Sequence, residues 1–487
     1  MRTKLPLGLS LLLGVFALGG ASSAQVPFPT NRFPVIVNGT QLQINDCSGR
    51  RFFLAGMVDN KPNSGRQLSR YDHAEMETQI VNLKAIGATA MRWNTFLFGR
   101  DLRWDANGYC TGMCAHAVAN IKDGLDLAYK HRIVIQIVLS TAHWLSYGTQ
   151  QPEEVTRVNN NRFMFTNAAA TQAYIDNVIK PITRTIGVHP GLFGYCIINE
   201  ASGMYYDEDA PTGTWSDVKV HMSDFQRWVN RVASEIHNNQ PGAICSVSGV
   251  AAGIAEYADA ALIAAGGKTN GIMDIHQVQF YPNNHGEDWS PFLHTPRQLV
   301  AAYGGGLKPF ICGETPIEGI KNDGRGKFKG TEEFGLGEGY IRLYTNGHSG
   351  GFTWSYNVYE NPKNAAKKPV IDAAYRNLYD NYLVTNDFNG SQCPDHAKAQ
   401  SPNVKRPNVL FCITDDQSWV HTSFAGEKAI TTPAFDRVAR EGIYFRNAFC
   451  AAPSCSPSRG SIITGQEMWR LGEAAQLYSA VPKELEE

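Results

Sequence analysis

Tyr195-Cys196-Ile197-Ile198-Asn199-Glu200 and Phe310-Ile311-Cys312-Gly313-Glu314 follow one pattern, a short apolar run closed by a carboxylate. A strand without polar alternation is buried on both faces, the condition of a parallel sheet covered by helices. Working outward from these segments, the chain holds eight such runs: Phe52–Val58, Ala88–Thr95, Ile133–Ser140, Phe193–Asn199, Ile244–Ser248, Met273–Phe280, Pro309–Gly313 and Gly351–Tyr356. Helical stretches such as Ala74–Ile86 and Ala115–Lys130 separate them. Eight βα repeats in roughly 300 residues predict an α/β fold of the (β/α)8 TIM-barrel type. An open doubly wound sheet is the alternative, but no glycine-rich dinucleotide turn follows the first run.

In such a barrel the residues at the C-terminal ends of the strands face the active site. Glu200 closes the fourth run and Glu314 the seventh. Two carboxylates flanking a glycosidic bond can hydrolyse it with retention: one attacks the anomeric carbon, while the other protonates the leaving oxygen and then activates water. That division of labour requires two different pKa values.

Asn-Glu after strand four and Glu after strand seven resemble the clan A glycoside hydrolases, most closely the cellulase and mannanase family five. The resemblance covers the barrel and implies Glu200 as acid/base, Glu314 as nucleophile and Asn199 as the ligand of the sugar 2-hydroxyl. It also suggests Arg92 and Tyr281 as partners of the nucleophile, His143 as a substrate-binding residue after strand three, and Trp354 as a platform under the sugar. At strand six the family usually has His-x-Tyr, whereas this chain reads Gln279-Phe280-Tyr281. Either Gln279 replaces that histidine, or the displaced His276 serves. The resemblance implies a polysaccharide or oligosaccharide substrate and no cofactor for the hydrolase.

The remaining features set boundaries. Arg2 and Lys4, an apolar run from Leu5 to Leu18 and Ala21-Ser22-Ser23-Ala24 read as a signal peptide over 1–24, hence a secreted or periplasmic protein without stable membrane insertion after cleavage. The alternative is an uncleaved anchor, for which the run is short. With 44 Lys+Arg against 45 Asp+Glu, bulk charge points to neither nucleic acid nor acidic membrane. An exported chain can form disulfides. Of its 10 cysteines, Cys110 and Cys114 are close enough in sequence to pair, whereas Cys196, Cys245 and Cys312 sit in apolar runs and read as buried thiols. The expected organisation is a barrel over 25–385, a polar linker over 386–403 rich in Pro, Ser and Asn, and a second segment over 404–487.

That segment carries Cys455-Ser456-Pro457-Ser458-Arg459 followed by Thr464-Gly465. Upstream lie an apolar strand ending in Asp415-Asp416, then Thr432-Pro433 opening a helix, with Gly442-Ile443-Tyr444-Phe445 after it. The order resembles the start of a type I sulfatase, in which the signature cysteine becomes formylglycine. The resemblance implies Cys455 as the modified residue, Arg459 as its positioning partner, and Asp415 and Asp416 as oxygen ligands of a hard cation such as calcium. The later metal and sulfate ligands of that family have no counterpart here, so the segment is expected to be an incomplete, inactive α/β sulfatase piece. Three functions follow: a retaining β-glycan hydrolase, acting on neutral or sulfated polysaccharide; a bifunctional glycosidase–sulfatase with a truncated sulfatase half; or a non-catalytic carbohydrate-binding barrel.

Overall fold

Eight parallel strands close into a barrel: β1 (Leu54–Asp59), β2 (Ala90–Asn94), β3 (Val134–Val138), β4 (Leu192–Ile198), β5 (Cys245–Gly249), β6 (His276–Gln279), β7 (Phe310–Pro316) and β8 (Gly350–Trp354), with β8 pairing back onto β1. The computed structural model describes residues 32–45, 49–59, 68–206, 216–282, 287–322 and 332–383, and shorter stretches between 414 and 475. Each strand overlaps one of the eight apolar runs, and the helices His73–Ala85 and Ala117–Lys130 stand where helical pattern predicts them. The fold is therefore the expected (β/α)8 barrel. One run differs in extent. β7 continues through Glu314 to Pro316, and its pairing slips on both sides, at Val278/Gln279 towards β6 and between Cys312 and Thr315 towards β8. Such irregularities re-aim side chains at a barrel rim.

Alternation along the strands sorts the interior into layers. Near the N-terminal ends Leu54, Val134, Ile244, Ile275, Ile311 and Phe352 form one apolar cluster. A hairpin, Val35–Asn38 paired with Gln41–Ile44, adds Val35, Leu42 and Ile44 to that cluster and closes this end. One layer higher the interior is polar: Arg92, Gln136, Ser246 and Gln277 are all buried. The side chains between them, including Met91, Ile135, Cys245 and Cys312, face the helices and build the main core.

Helices Leu336–Thr345 and Lys368–Leu378 lock the seam between β8 and β1. Their buried hydroxyls, Tyr340 and Tyr375, lie 3.0 Å apart. Tyr375 donates to Gly56 O at 2.6 Å and Tyr340 to Gly351 O at 3.1 Å. Gly56 has no room for a side chain, since a Cβ there would fall 1.9 Å from Ala90 O.

The signal-peptide reading over 1–24 and the linker reading over 386–403 lie outside the described residues. Among the described residues, no helix is long and apolar enough to cross a membrane. Cys196, Cys245 and Cys312 are buried thiols as expected. The Cys110–Cys114 pairing does not form: both are buried free thiols. Cys110 turns its sulfur to Gly112 O at 3.6 Å, and Cys114 faces Asp101.

The chain divides into two units, Met1–His396 and Ala397–Glu487. In the second, helix Pro433–Glu441 is where the Thr432-Pro433 start predicts one. Asp436 anchors it by accepting from Ser423 Oγ at 2.8 Å, Thr432 Oγ1 at 2.8 Å and Phe424 N at 3.0 Å. The other helix of the sulfatase-like motif spans Cys455–Thr464.

Candidate active site

Arg92 organises the C-terminal mouth of the barrel. Its backbone sits in the middle of β2, so the guanidinium rises along the interior, with no exposed surface. Nη1 donates to Glu314 Oε1 at 2.7 Å, Nη2 to Asn199 Oδ1 at 2.6 Å and to Cys196 Sγ at 3.4 Å, and Nε to Gln136 Oε1 at 3.2 Å. A buried cation is tolerable only when its donors are met by acceptors and a counter-charge, and here all of these are present. Gln136 is held in turn by Gln277, which exchanges amide hydrogen bonds with it at 2.9 and 3.1 Å. Ser246 Oγ donates to Gln277 Oε1 at 2.7 Å.

Glu314 is 2% exposed. Arg92 saturates one of its oxygens, and the Tyr281 hydroxyl donates to the other, Oε2, at 2.9 Å. Both bonds hold the carboxylate in a single orientation. Asn199 receives two donors on Oδ1, from Arg92 and from Gln279 Nε2 at 2.7 Å, which fixes its amide plane.

Glu200 sits just past β4 with φ 57° and ψ 41°, a left-handed conformation that costs a non-glycine residue about 1–2 kcal/mol. Such strain collects at functional sites. Burial, then the like charge of Glu314, pushes its carboxyl up to about 8 against the opposing pull of Arg92. Glu200 therefore carries its proton at neutral pH beside a carboxylate fixed by an arginine. Burial beside Glu314 and Glu200 also pushes the Tyr281 hydroxyl well above the ordinary tyrosine range, so it remains a donor.

Of the residues singled out in sequence, Arg92, Asn199, Gln279, Tyr281 and Glu314 meet in one hydrogen-bonded cluster, and Glu200 adjoins it electrostatically. Trp354 ends β8, partly exposed, next to a cis peptide to Ser355. His143 lies in the short helix after β3, stacked on Phe98 with ring centroids 5.0 Å apart. Burial, with Arg157 nearby, pushes it down to about 4, so it is a neutral imidazole. Arg157 holds that loop by donating to Phe98 O at 2.7 Å and Ser146 O at 2.8 Å.

His276 is not brought to the site. It opens β6 on the face opposite Gln277 and Gln279, with Nε2 2.7 Å from Gly306 O and its ring against Phe310. Strand parity excludes it, and Gln279 holds the position. Gln136, Gln277 and Ser246 were missed by sequence reasoning. For Gln136 and Ser246 the signal was a lone polar residue inside an apolar run, as in Ile135-Gln136-Ile137, whereas Gln277 stands among the polar neighbours His276 and Gln279.

In the second unit, Cys455 opens the helix Cys455–Thr464 as an exposed free thiol, with Arg459 one turn later on the same face. Asp415 and Asp416 lie outside the described residues.

Fold and site together show a (β/α)8 barrel with a buried carboxylate pair at its C-terminal mouth, followed by a segment that resembles the start of a sulfatase. Over 346 residues the chain is 26% identical to a mannan endo-1,4-beta-mannosidase of Mytilus edulis, covering 66% of this chain and 87% of that protein. The fold matches the endo-1,4-beta-mannanase of Eisenia fetida with a TM-score of 0.58 at 23% identity, covering 72% of this chain and 95% of that one. The sulfatase family model matches residues 407–484. There the chain is 44% identical over 71 residues to a sulfatase of Formosa agariphila, 15% of this chain but only 14% of that protein. The chain thus resembles family-five mannanases across its barrel and spans a small fraction of its sulfatase relatives.

Proposed function

We propose that the barrel is a retaining hydrolase of β-linked glycans, with mannan-type β-1,4 chains as its first substrate class. The observation that carries this reading is the unequal pair of carboxyls. Glu314, fixed by Arg92 and Tyr281, attacks the anomeric carbon and forms a glycosyl ester. Glu200, protonated at neutral pH by virtue of its burial, gives its proton to the departing oxygen. It then takes a proton from the water that cleaves the ester. Asn199, its carbonyl oxygen held by two donors, presents its amide N–H to the sugar 2-hydroxyl, where contact strengthens as the oxocarbenium character grows. Trp354 offers the ring face that a sugar stacks on. The mannanase relatives support the choice of substrate.

The test is hydrolysis of β-mannan by wild type and by Glu314→Gln. Wild type should release a product of retained anomeric configuration, read by proton NMR. The variant should lose at least about a thousandfold in kcat, as expected for a covalent nucleophile. Undiminished turnover in the variant, or inversion in the wild type, would refute the assignment.

The second unit supports a second reading: a sulfatase half whose full activity requires more than these residues supply. Cys455 and Arg459, one turn apart on an exposed helix face, favour it. A glycosidase joined to such a unit suits a secreted protein acting on sulfated polysaccharide, with a hard cation such as calcium at Asp415 and Asp416. Sulfate release from an aryl sulfate by the purified chain would show that the unit works unaided, against the expectation of inactivity.

A further inference from the structure

On the outer wall of the barrel, remote in topology from the glycan mouth, His237, Cys245 and Asp274 bring one imidazole nitrogen, one sulfur and one carboxylate oxygen within 4.8 Å of one another. We propose that these three residues bind a zinc-class divalent cation, which ties helix Met222–Asn239 to β5 and the start of β6.

The placement follows from strand parity. Ser246 points inward to Gln277, so Cys245, the first residue of β5, points outward to the helix layer. His237 lies in the last turn of the helix Met222–Asn239 that covers this strand. Asp274 precedes β6 and is tied to Cys245 twice over, since its N–H donates to Cys245 O at 2.9 Å and its Oδ2 accepts from Cys245 N at 2.7 Å.

The surroundings of His237 suit a metal ligand. Such a ring usually donates its other N–H to a carbonyl, which fixes the tautomer. His237 Nδ1 stands 2.6 Å from Asn270 O. Asn270 is itself held by Ser234 Oγ at 2.7 Å and by its own donation to Asn238 Oδ1 at 2.8 Å. With the hydrogen on Nδ1, the lone pair of Nε2 points at Asp274 Oδ2, 3.0 Å away. Two acceptors that close repel unless a proton or a cation lies between them. Ligands of a tetrahedral zinc ion stand about 3.3 Å apart for nitrogen and oxygen, which follows from metal–ligand bonds near 2.0–2.1 Å, so a small outward shift seats the ion.

Thiolate, imidazole and carboxylate together select zinc or cobalt over calcium or magnesium. The side chains of His237 and Asp274 keep 13% and 27% exposure, which leaves a wet approach for the ion and a fourth position for water. Binding expels the Cys245 thiol proton, and any second imidazole proton, to solvent.

The competing occupant is that second proton, giving an imidazolium between Asp274 and Cys245. Cobalt titration of the full chain, stripped by chelator and read by the near-ultraviolet cysteinate-to-cobalt band, separates the two. The proposal expects a band saturating at one equivalent, displaced by zinc, together with a zinc-dependent rise in the melting midpoint. Cys245→Ser and His237→Gln should lose both, while the exposed thiols Cys450 and Cys455 are dispensable and their double serine variant keeps the band. A folded wild type with no band, or a band that survives Cys245→Ser, overturns the proposal. Should Cys245→Ser fail to fold by circular dichroism, Asp274→Asn decides: cobalt affinity must fall by about tenfold or more, and unchanged affinity overturns the site.

Discussion

Glu200 is destabilising in the form that ionises. Its carboxyl titrates at about 8 in the folded chain and near 4.3 when unfolded. Between those values the unfolded state holds fewer protons than the native one, so stability falls as pH rises through that window and levels off above it. Glu200→Gln mimics the neutral form at every pH. The variant should match wild type in melting temperature near pH 4, exceed it progressively, and keep a constant advantage above about pH 8. Thermal melts across that range check the sign. Arg92 stands in the opposite position, since its charge neutralises a buried partner. Arg92→Met leaves Glu314 buried without its cation and should cost about 3–5 kcal/mol in urea denaturation, along with most of the activity. At this scale the sequence was legible where chemistry and strand end coincide, as at Glu200, Glu314, Asn199 and Tyr281. It was silent about Gln136 and Gln277, because whether a glutamine within a strand faces the barrel axis depends on register with neighbours far along the chain. His276 shows the same limit from the other side. Proximity in sequence suggested it, and alternation turned it away.

The elements were easier to read than their joints. Apolar runs located all eight strands because each is buried on both faces, whereas the continuation of β7 past Glu314 arises from slipped pairing with β6 and β8, which no local pattern encodes. The seam between β8 and β1 is likewise a product of distant residues. Tyr340 and Tyr375 come from two late helices, yet their hydroxyls reach the carbonyls of Gly56 and Gly351. Tyr375→Phe removes one hydroxyl from a closed network and takes from the carbonyl of Gly56 its shortest donor, leaving Tyr340 at 3.2 Å and Thr353 at 3.4 Å. It should lower stability by about 1–3 kcal/mol, measured by denaturant titration. KM should be unchanged, because the clamp sits behind the barrel wall.

At the scale of the molecule, two compact units share one chain. The barrel has its own continuous core and polar interior, and its mannanase relative is matched over 87% of that protein's length. A chain ending at His396 should therefore keep the proposed glycan hydrolase activity within about twofold of the full chain, assayed on the same substrate, because separate cores contribute independently. Loss of activity would mean that the second unit supports the first. Exposed apolar side chains mark the second unit, with Val438 at 71%, Ile463 at 72% and Trp469 at 70% exposure. Its signature helix was legible because a five-residue motif carries more information than any single carboxylate.

The hairpin under the barrel has a consequence for proton traffic. Among the described residues, Val35, Leu42 and Ile44 stop the N-terminal end of the barrel, so the Arg92 cluster faces water through the C-terminal mouth. On the proposed function, a bound polysaccharide would lie across that mouth. The substrate itself would then become the second stopper, insulating the carboxyl pair from bulk pH for as long as a glycan stays seated. An enzyme plugged in this way would tolerate alkaline surroundings better when saturated than when searching for its next chain.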